Sequence, residues 1–254
     1  MQVYCLFLLP MAVLLPPGTW AGQIIGGQEA EPHSRPYMAY LYIQHGQKWS
    51  KCAGFLVKPN IVLTAAHCQG EKINVVLGAH NISQWEPSQQ VIQVQRQIPH
   101  PQYDDKTKNN DIMILQLQGE AHHNKYVDFI KLPPAKQRVR PKTKCSVAGW
   151  GRTSLEKKQM SDTLWEADVA VMEDAGCPRN QDGPYPYYDA TTMMCVGDPD
   201  EGSSSSKGDS GGPLVCGKKA QGIVSGGSKT GTPPAMYTRV SAFMPWIQKT
   251  MKNL

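Results

Sequence analysis

Three short stretches hold residue types that can do chemistry together. KGDSGGPLVC, Lys207–Cys216, sets Asp209 directly before Ser210, with Gly208, Gly211 and Gly212 around them. LTAAHCQG places His67 at the end of an apolar β-rich run, followed at once by Cys68. NNDIMILQL puts Asp111 just before another apolar strand. Each has a plain reading by itself: a glycine-rich surface turn, a half-buried histidine, and an aspartate that caps its own turn. A serine hydroxyl is a poor nucleophile at neutral pH and needs a base beside it, itself oriented by a buried acceptor. The order His67, Asp111, Ser210 is one of the three chain orders known for such a triad. Taken together, the stretches point to nucleophilic catalysis.

The elements that must position these residues are mostly short strands. PYMAYLYI, GFLVKPNIVLTAAH, KINVVLGAH, QVIQVQRQI and DIMILQLQ in the first half, and CSVAGWG, TLWEADVAVM, PLVCGKKAQGIVSGG and AMYTRV in the second, are β-rich runs punctuated by Gly, Pro, Asn or Asp. One helix is expected, at the end: in SAFMPWIQKTMKNL, Phe243, Trp246, Ile247, Met251 and Leu254 recur at helical spacing, with Pro245 in the first turn. Two groups of antiparallel strands, split by a Pro-rich basic segment at 131–144, give an all-β protein of two barrels or sandwiches. Its 254 residues, 40% of them hydrophobic, suffice for a packed core. The eleven methionines and paired aromatics read as core filling, with no cofactor site among them.

Residues 1–23 carry no charged side chain, and their apolar run from Val3 to Leu15 is too short to span a bilayer. With Thr19-Trp20-Ala21 as a small-residue cleavage site, Met1–Ala21 reads as a secretory signal peptide. Removing it takes away Cys5 and leaves six of the seven cysteines: Cys52, Cys68, Cys145, Cys177, Cys195 and Cys216. An even set in a secreted chain implies up to three disulfides, and spacing does not choose among the 15 pairings. No CxxC pair suggests zinc, and nothing resembles a calcium loop or a nucleotide site. Asn81-Ile82-Ser83 is a glycosylation sequon in an expected loop.

The net charge of +5 is unevenly spread. KLPPAKQRVRPKTK holds six cations, Lys131, Lys136, Arg138, Arg140, Lys142 and Lys144, and no acid. Arg138, Arg140, Lys142 and Lys144 alternate, which in an extended segment puts them on one side. The strip reads either as a solvated linker or as a docking site for a sulfated, heparin-like proteoglycan. No later segment is apolar enough to cross a membrane, and no nucleic-acid partner is expected.

With these stretches in view, the chain from Ile24 to Leu254 resembles the chymotrypsin-fold serine proteases, in their granzyme and mast-cell chymase branch. The resemblance rests on IIGG at Ile24, PHSRPYMAY at Pro32, LTAAHC at Leu63, LGAHNI at Leu77, NDIMILQL at Asn110, SVAGWG at Ser146, GDSGGPLVC at Gly208 and PWIQKTMK at Pro245. It implies two six-stranded antiparallel β-barrels, about 24–130 and 145–254, with the active site between them and a C-terminal helix. It implies Ser210 as nucleophile, His67 as general base and then acid, Asp111 as holder of the His tautomer, and the Gly208 and Ser210 N–H groups as oxyanion hole. Ser225 would help enclose Asp111. Asp209 would pair with the new α-amino group of Ile24 once a dipeptidyl peptidase removes Gly22-Gln23. The implied disulfides are Cys52–Cys68, Cys145–Cys216 and Cys177–Cys195, with Ser206 where many relatives have a further cysteine.

The same resemblance walls the substrate pocket with Ser204, Ser205, Ser206 and Lys207 on one side and Ser225, Gly226 and Gly227 on the other. Ser204 lies at its base and Ala235 faces it. A site for Arg or Lys needs a carboxylate at the base, and one for acidic residues needs a cation. Ser204 cannot supply the carboxylate, and Ala235, standing where the aspartate-cutting relatives carry the cation, cannot supply that either, so the neutral slot implies cleavage after Phe, Tyr, Leu or Met. Gly226, where relatives place Trp or Tyr, removes a wall for neighbouring substrate residues, and Ala53, where relatives have Gly, is a smaller departure. A weakly active or inactive homologue that binds proteoglycan is therefore the competing reading. Partners on the main reading are protein or peptide substrates and serine protease inhibitors, for a monomer without cofactor in a secretory granule or outside the cell.

Overall fold

A computed structural model describes residues 27–152, 159–179, 183–197, 205, 208–227 and 232–254. The first half holds β1 (Gln28–Glu29), β2 (Met38–His45), β3 (Lys48–Lys58), β4 (Ile61–Thr64), β5 (Lys72–Leu77), β6 (Gln90–Pro99) and β7 (Met113–Leu117). The second holds β8 (Lys144–Gly149), β9 (Trp165–Ala170), β10 (Met193–Val196), β11 (Pro213–Cys216), β12 (Lys219–Gly226), β13 (Ala235–Arg239) and the helix α1 (Val240–Lys252). Strands β2-β3-β4-β7-β6-β5 close into an antiparallel barrel. The remaining strands form one antiparallel sheet in the order β1-β9-β8-β11-β12-β13-β10. An isolated bridge from Val171 to Val196 joins the β9 end of this sheet to β10, so the six longer strands curl into the second barrel. The fold is all-β with one C-terminal helix.

Side-chain alternation explains the layering. Along β2, Leu41 and Ile43 point into the first barrel beside Ile73, Val75 and Leu77 of β5. Tyr40, on the opposite face, joins Ala53, Ala148, Trp150 and Leu164 in a cluster between the barrels. Trp150 is wholly buried there and donates its indole N–H to the His80 carbonyl, 3.0 Å away. Arg35 ties the halves from the other side, with Nε 2.7 Å from Glu166 and a second nitrogen 3.0 Å from the Ser146 hydroxyl. Three disulfides join β3 to the 3-10 turn after β4 (Cys52–Cys68), β8 to its neighbour β11 (Cys145–Cys216) and the segment after β9 to β10 (Cys177–Cys195).

Three local expectations are corrected. β10, MMCV, does not stand out in the sequence because it has four residues and two methionines in place of β-branched side chains. The helix begins at Val240, so Pro245 lies beyond the first turn. Proline has no N–H for the Ser241 carbonyl one turn back; that carbonyl instead accepts the Lys136 N–H at 3.0 Å. The basic segment is not extended: Arg140 to Thr143 form a turn, the Thr143 N–H donating to the Arg140 carbonyl, with Lys142 at a φ of 63°. Its alternation therefore does not put four cations on one side.

Candidate functional site

Asp111 enters β7 with its carboxylate fully buried. One oxygen accepts the His67 backbone N–H at 2.9 Å; the other lies 2.7 Å from His67 Nδ1 and accepts the Ser225 hydroxyl at 2.6 Å. The Thr238 hydroxyl holds the Asp111 carbonyl at 2.8 Å. A buried carboxylate is costly without such donors, and three of them converge here. His67 sits in a single 3-10 turn, Ala66–Cys68, with part of its ring open to solvent. A carboxylate on Nδ1 keeps the proton there and leaves Nε2 as the acceptor.

Ser210 is tied to this pair from two directions. Its carbonyl accepts the Ala53 N–H of β3 at 2.7 Å, and the adjacent Cys52 is bonded to Cys68, next to His67. On the other side, the Gly211 N–H donates to the Val224 carbonyl at 2.8 Å and the Val224 N–H to the Gly212 carbonyl at 2.9 Å. Val224 precedes Ser225, which holds Asp111. One strand from each barrel thus positions the serine segment against the His–Asp pair.

Gly208 has a φ of 103°, and a Cβ there would lie 2.8 Å from the Gly151 Cα, against backbone that cannot swing away. Only glycine suits that loop. Asp209 is fully buried, and Gly151 donates its N–H to the carboxylate at 2.9 Å. A side chain at Gly149 or Gly151 would run into that carboxylate. Ile24, with the leader and Gly22-Gln23 before it, lies outside the described residues, as do Ser204, Ser206 and Lys207.

Of the residues expected to wall the pocket, Ser205, Ser225, Gly226, Gly227 and Ala235 are described, and none of these is charged. A Cβ on Gly227 would stand 3.9 Å from the Ser205 carbonyl, so the two walls face each other closely. Ala235 is buried, and Tyr237, two residues on, is buried with it; desolvation pushes the phenol's pKa up, and the Ser205 hydroxyl beside it acts the other way. Among the described residues, a Cβ at Gly226 would meet only Met236 Cε, at 3.8 Å. The six cations of the basic segment are all exposed, and Arg138 pairs with Asp174 at 3.1 Å. Asn81 is partly exposed, its side-chain oxygen accepting both the Ser83 N–H and hydroxyl.

Thr238, Gly149 and Gly151 are site residues that sequence reasoning missed. Thr238 had no signal, since its contact spans 127 positions. The glycines of AGWG carried one: tight backbone approach is what paired glycines permit. Cys52, His67 and Cys68 also bring metal-ligand atom types together, but the disulfide engages both sulfurs and His67 Nδ1 faces Asp111.

A profile of the trypsin family matches residues 24–247. Human granzyme B is 54% identical over 246 residues, covering 97% of this chain and 98% of its own. Human cathepsin G is 51% identical over 246 residues, covering 97% and 94%. A solved structure described as "Structure of GrC" superposes with a TM-score of 0.85 at 44% identity, covering 90% of this chain and 100% of its own. The chain therefore belongs to the trypsin family, as a chymotrypsin-like serine protease of the granzyme and cathepsin G type.

Proposed function

We propose that Ser210, His67 and Asp111 form the catalytic triad of an endopeptidase that cleaves after large apolar residues. The observation that carries this reading is the buried Asp111 carboxylate 2.7 Å from His67 Nδ1, in a network that reaches Ser210 through both barrels. His67 Nε2 takes the Ser210 proton as Oγ attacks the scissile carbonyl, and then gives that proton to the leaving amine. The acyl-enzyme is hydrolysed by the same steps with water in place of the serine. The Gly208 and Ser210 N–H groups stabilise the developing oxyanion, each such donor supplying about 10²- to 10³-fold in rate.

Among the described residues, Ser205, Gly227 and Ala235 bring no charge to the expected pocket, and Ala235 stands where a cation would serve acidic residues, which supports Phe, Tyr, Leu or Met before the scissile bond. Activation follows the same logic: release of Met1–Ala21 and then Gly22-Gln23 frees an Ile24 α-amine for Asp209. The buried acid and the glycines packed on it support this step. Storage in a secretory granule or release from the cell, with glycosylation at Asn81, fits the leader and the six paired cysteines.

Cleavage of a diverse peptide library by protein beginning at Ile24, beside its Ser210→Ala variant, tests the reading. Serine-dependent cuts after Phe, Tyr, Leu or Met are expected; cuts after Asp, Arg or Lys would overturn the pocket argument. A chain beginning at Gly22 with equal activity would overturn the activation step.

The open space at Gly226 favours one second reading, a weak peptidase that acts by binding sulfated proteoglycan through Lys131, Lys136, Arg138, Arg140, Lys142 and Lys144. That reading predicts retention on heparin which falls steeply with salt and is lost when Arg138, Arg140, Lys142 and Lys144 are replaced together.

A further inference from the structure

The Gly208 N–H is one of the two donors assigned above to the oxyanion, and its loop is backed by a methionine. A Cβ built on Gly208 would stand 2.8 Å from the Gly151 Cα, 3.3 Å from Met160 Sδ and 3.4 Å from Met160 Cε. The flank of the loop is therefore filled partly by backbone and partly by a thioether. Both belong to one pinned stretch: Arg152 and Met160 form an antiparallel bridge, and the Ser161 N–H donates to the Gly151 carbonyl at 3.0 Å. Gly151 in turn donates its own N–H to the Asp209 carboxylate at 2.9 Å. Met160 is thus fixed through its main chain beside the Asp209 contact, with its sulfur against the loop that carries Gly208.

A thioether suits this place because it is soft and unbranched, and so moulds to a glycine that offers no side chain. It is also readily oxidised where solvent reaches it. Of the described methionines, Met160, Met172 and Met251 are partly exposed and the rest are buried. Met172 packs on the cluster that holds Tyr185 and Tyr188, and Met251 on the core of the first barrel. Met160 is the one of the three whose sulfur lies against the Gly208 loop.

We propose that Met160 is an oxidation site through which a hydroperoxide lowers turnover by disturbing the oxyanion hole. With hydrogen peroxide, the sulfur lone pair bonds to one oxygen, the O–O bond breaks, and the proton on the transferred oxygen moves to the departing one. The sulfide gives up two electrons and becomes a sulfoxide, while the peroxide is reduced to water. The product is bulkier, polar and chiral. Because the main chain of Met160 is pinned, the sulfoxide relieves its contact in one of two ways: it pushes Gly208 aside, or it swings into solvent and leaves the flank of Gly208 unfilled. Either way the Gly208 N–H loses the aim that oxyanion stabilisation requires. The expected pocket residues Ser225, Gly227 and Ala235 stand on other segments, so substrate binding is affected less than turnover. Met160 acts through Gly208, as a positioning residue, and the inference rests on the endopeptidase reading above.

In the test, protein beginning at Ile24 is exposed to hydrogen peroxide, quenched at intervals, and divided between peptide mass mapping and turnover of the best library peptide. Each variant is compared with its own untreated sample. The expected result is a fall of about tenfold in kcat with KM nearly constant, a part of the roughly 10²- to 10³-fold that loss of one oxyanion donor costs. The fall should track the fraction of Met160 that has gained an oxygen. Under the same exposure Met160→Leu, close in volume and without sulfur, holds its untreated kcat, whereas Met172→Leu and Met251→Leu decline as the unmodified enzyme does. Full kcat after Met160 is converted, an equal decline in Met160→Leu, a loss carried by KM, or conversion of Met172 and Met251 with Met160 untouched overturns the inference. Untreated, correctly processed protein that cleaves no peptide signals failure of the endopeptidase reading itself, and this inference falls with it.

Discussion

Replacing Asp111 with asparagine keeps the shape of the site and changes one chemical role. The buried oxygen that accepts the His67 backbone N–H at 2.9 Å can remain an oxygen. The second position, 2.7 Å from His67 Nδ1 and 2.6 Å from the Ser225 hydroxyl, becomes an NH₂ group. That amide can donate to Ser225, whose hydroxyl turns to accept, but it also presents a donor to Nδ1. His67 must then accept there and carry its proton on Nε2, where it cannot receive the Ser210 proton. A misplaced tautomer in an otherwise intact triad costs about 10⁴ in kcat, or about 5.5 kcal/mol in the barrier. KM should change little, because only the Ser225 hydroxyl turns and the backbone around the expected pocket stays in place, and the variant should fold, because the buried group keeps hydrogen-bonding partners. The assay is steady-state turnover of the best library peptide at neutral pH, beside Ser210→Ala and Ser225→Ala. Ser225→Ala removes one donor from a charged acceptor, about 1.5–3 kcal/mol by the usual worth of such bonds. Both His67 contacts survive, so its effect should fall more on stability than on kcat. An Asp111→Asn enzyme within tenfold of the unmodified kcat would refute the tautomer argument, provided Ser210→Ala is inactive.

Gly208→Ala places a Cβ 2.8 Å from the Gly151 Cα at a φ of 103°; kcat should drop about 10²- to 10³-fold with KM nearly constant, and kinetics that leave kcat untouched would remove Gly208 from the oxyanion hole. Gly226→Trp rebuilds a wall in open space bounded by Met236, and kcat/KM on peptides with several residues before the scissile bond should rise about tenfold, on the scale of the apolar area gained; no gain would show that Gly226 does not limit extended binding. Asp104 accepts the N–H groups of Lys106 and Thr107 at 2.8 and 3.1 Å, and these bonds hold its pKa below the usual value. Its stabilisation is therefore present above the unfolded pKa of about 3.9 and lost as pH falls through the lower folded value. The difference in Tm between the unmodified protein and Asp104→Asn should accordingly narrow in acid, and a constant difference across that range would contradict the sign.

How much of this was legible in the sequence depended on the distance over which each signal acts. Alternation is local, so strands such as β6, with Ile92 and Val94 turned toward the core and Val91, Gln93 and Gln95 outward, announce themselves. β10 does not, because what makes it a strand is its pairing with β13, from Met193 opposite Thr238 to Val196 opposite Ala235. The four alternating cations fail for a related reason: alternation specifies a face only where the backbone is extended, and Lys142 sits at a positive φ in a turn. The candidate triad could be nominated from the sequence because His67, Asp111 and Ser210 each stand in a short stretch of distinctive composition. Their supports were not, since Thr238 reaches Asp111 across 127 positions and Ala53 meets Ser210 only after both barrels close. A local pattern can thus nominate chemical groups, while the contacts that hold them in place emerge only from register and closure, as Thr238 and Ala53 show.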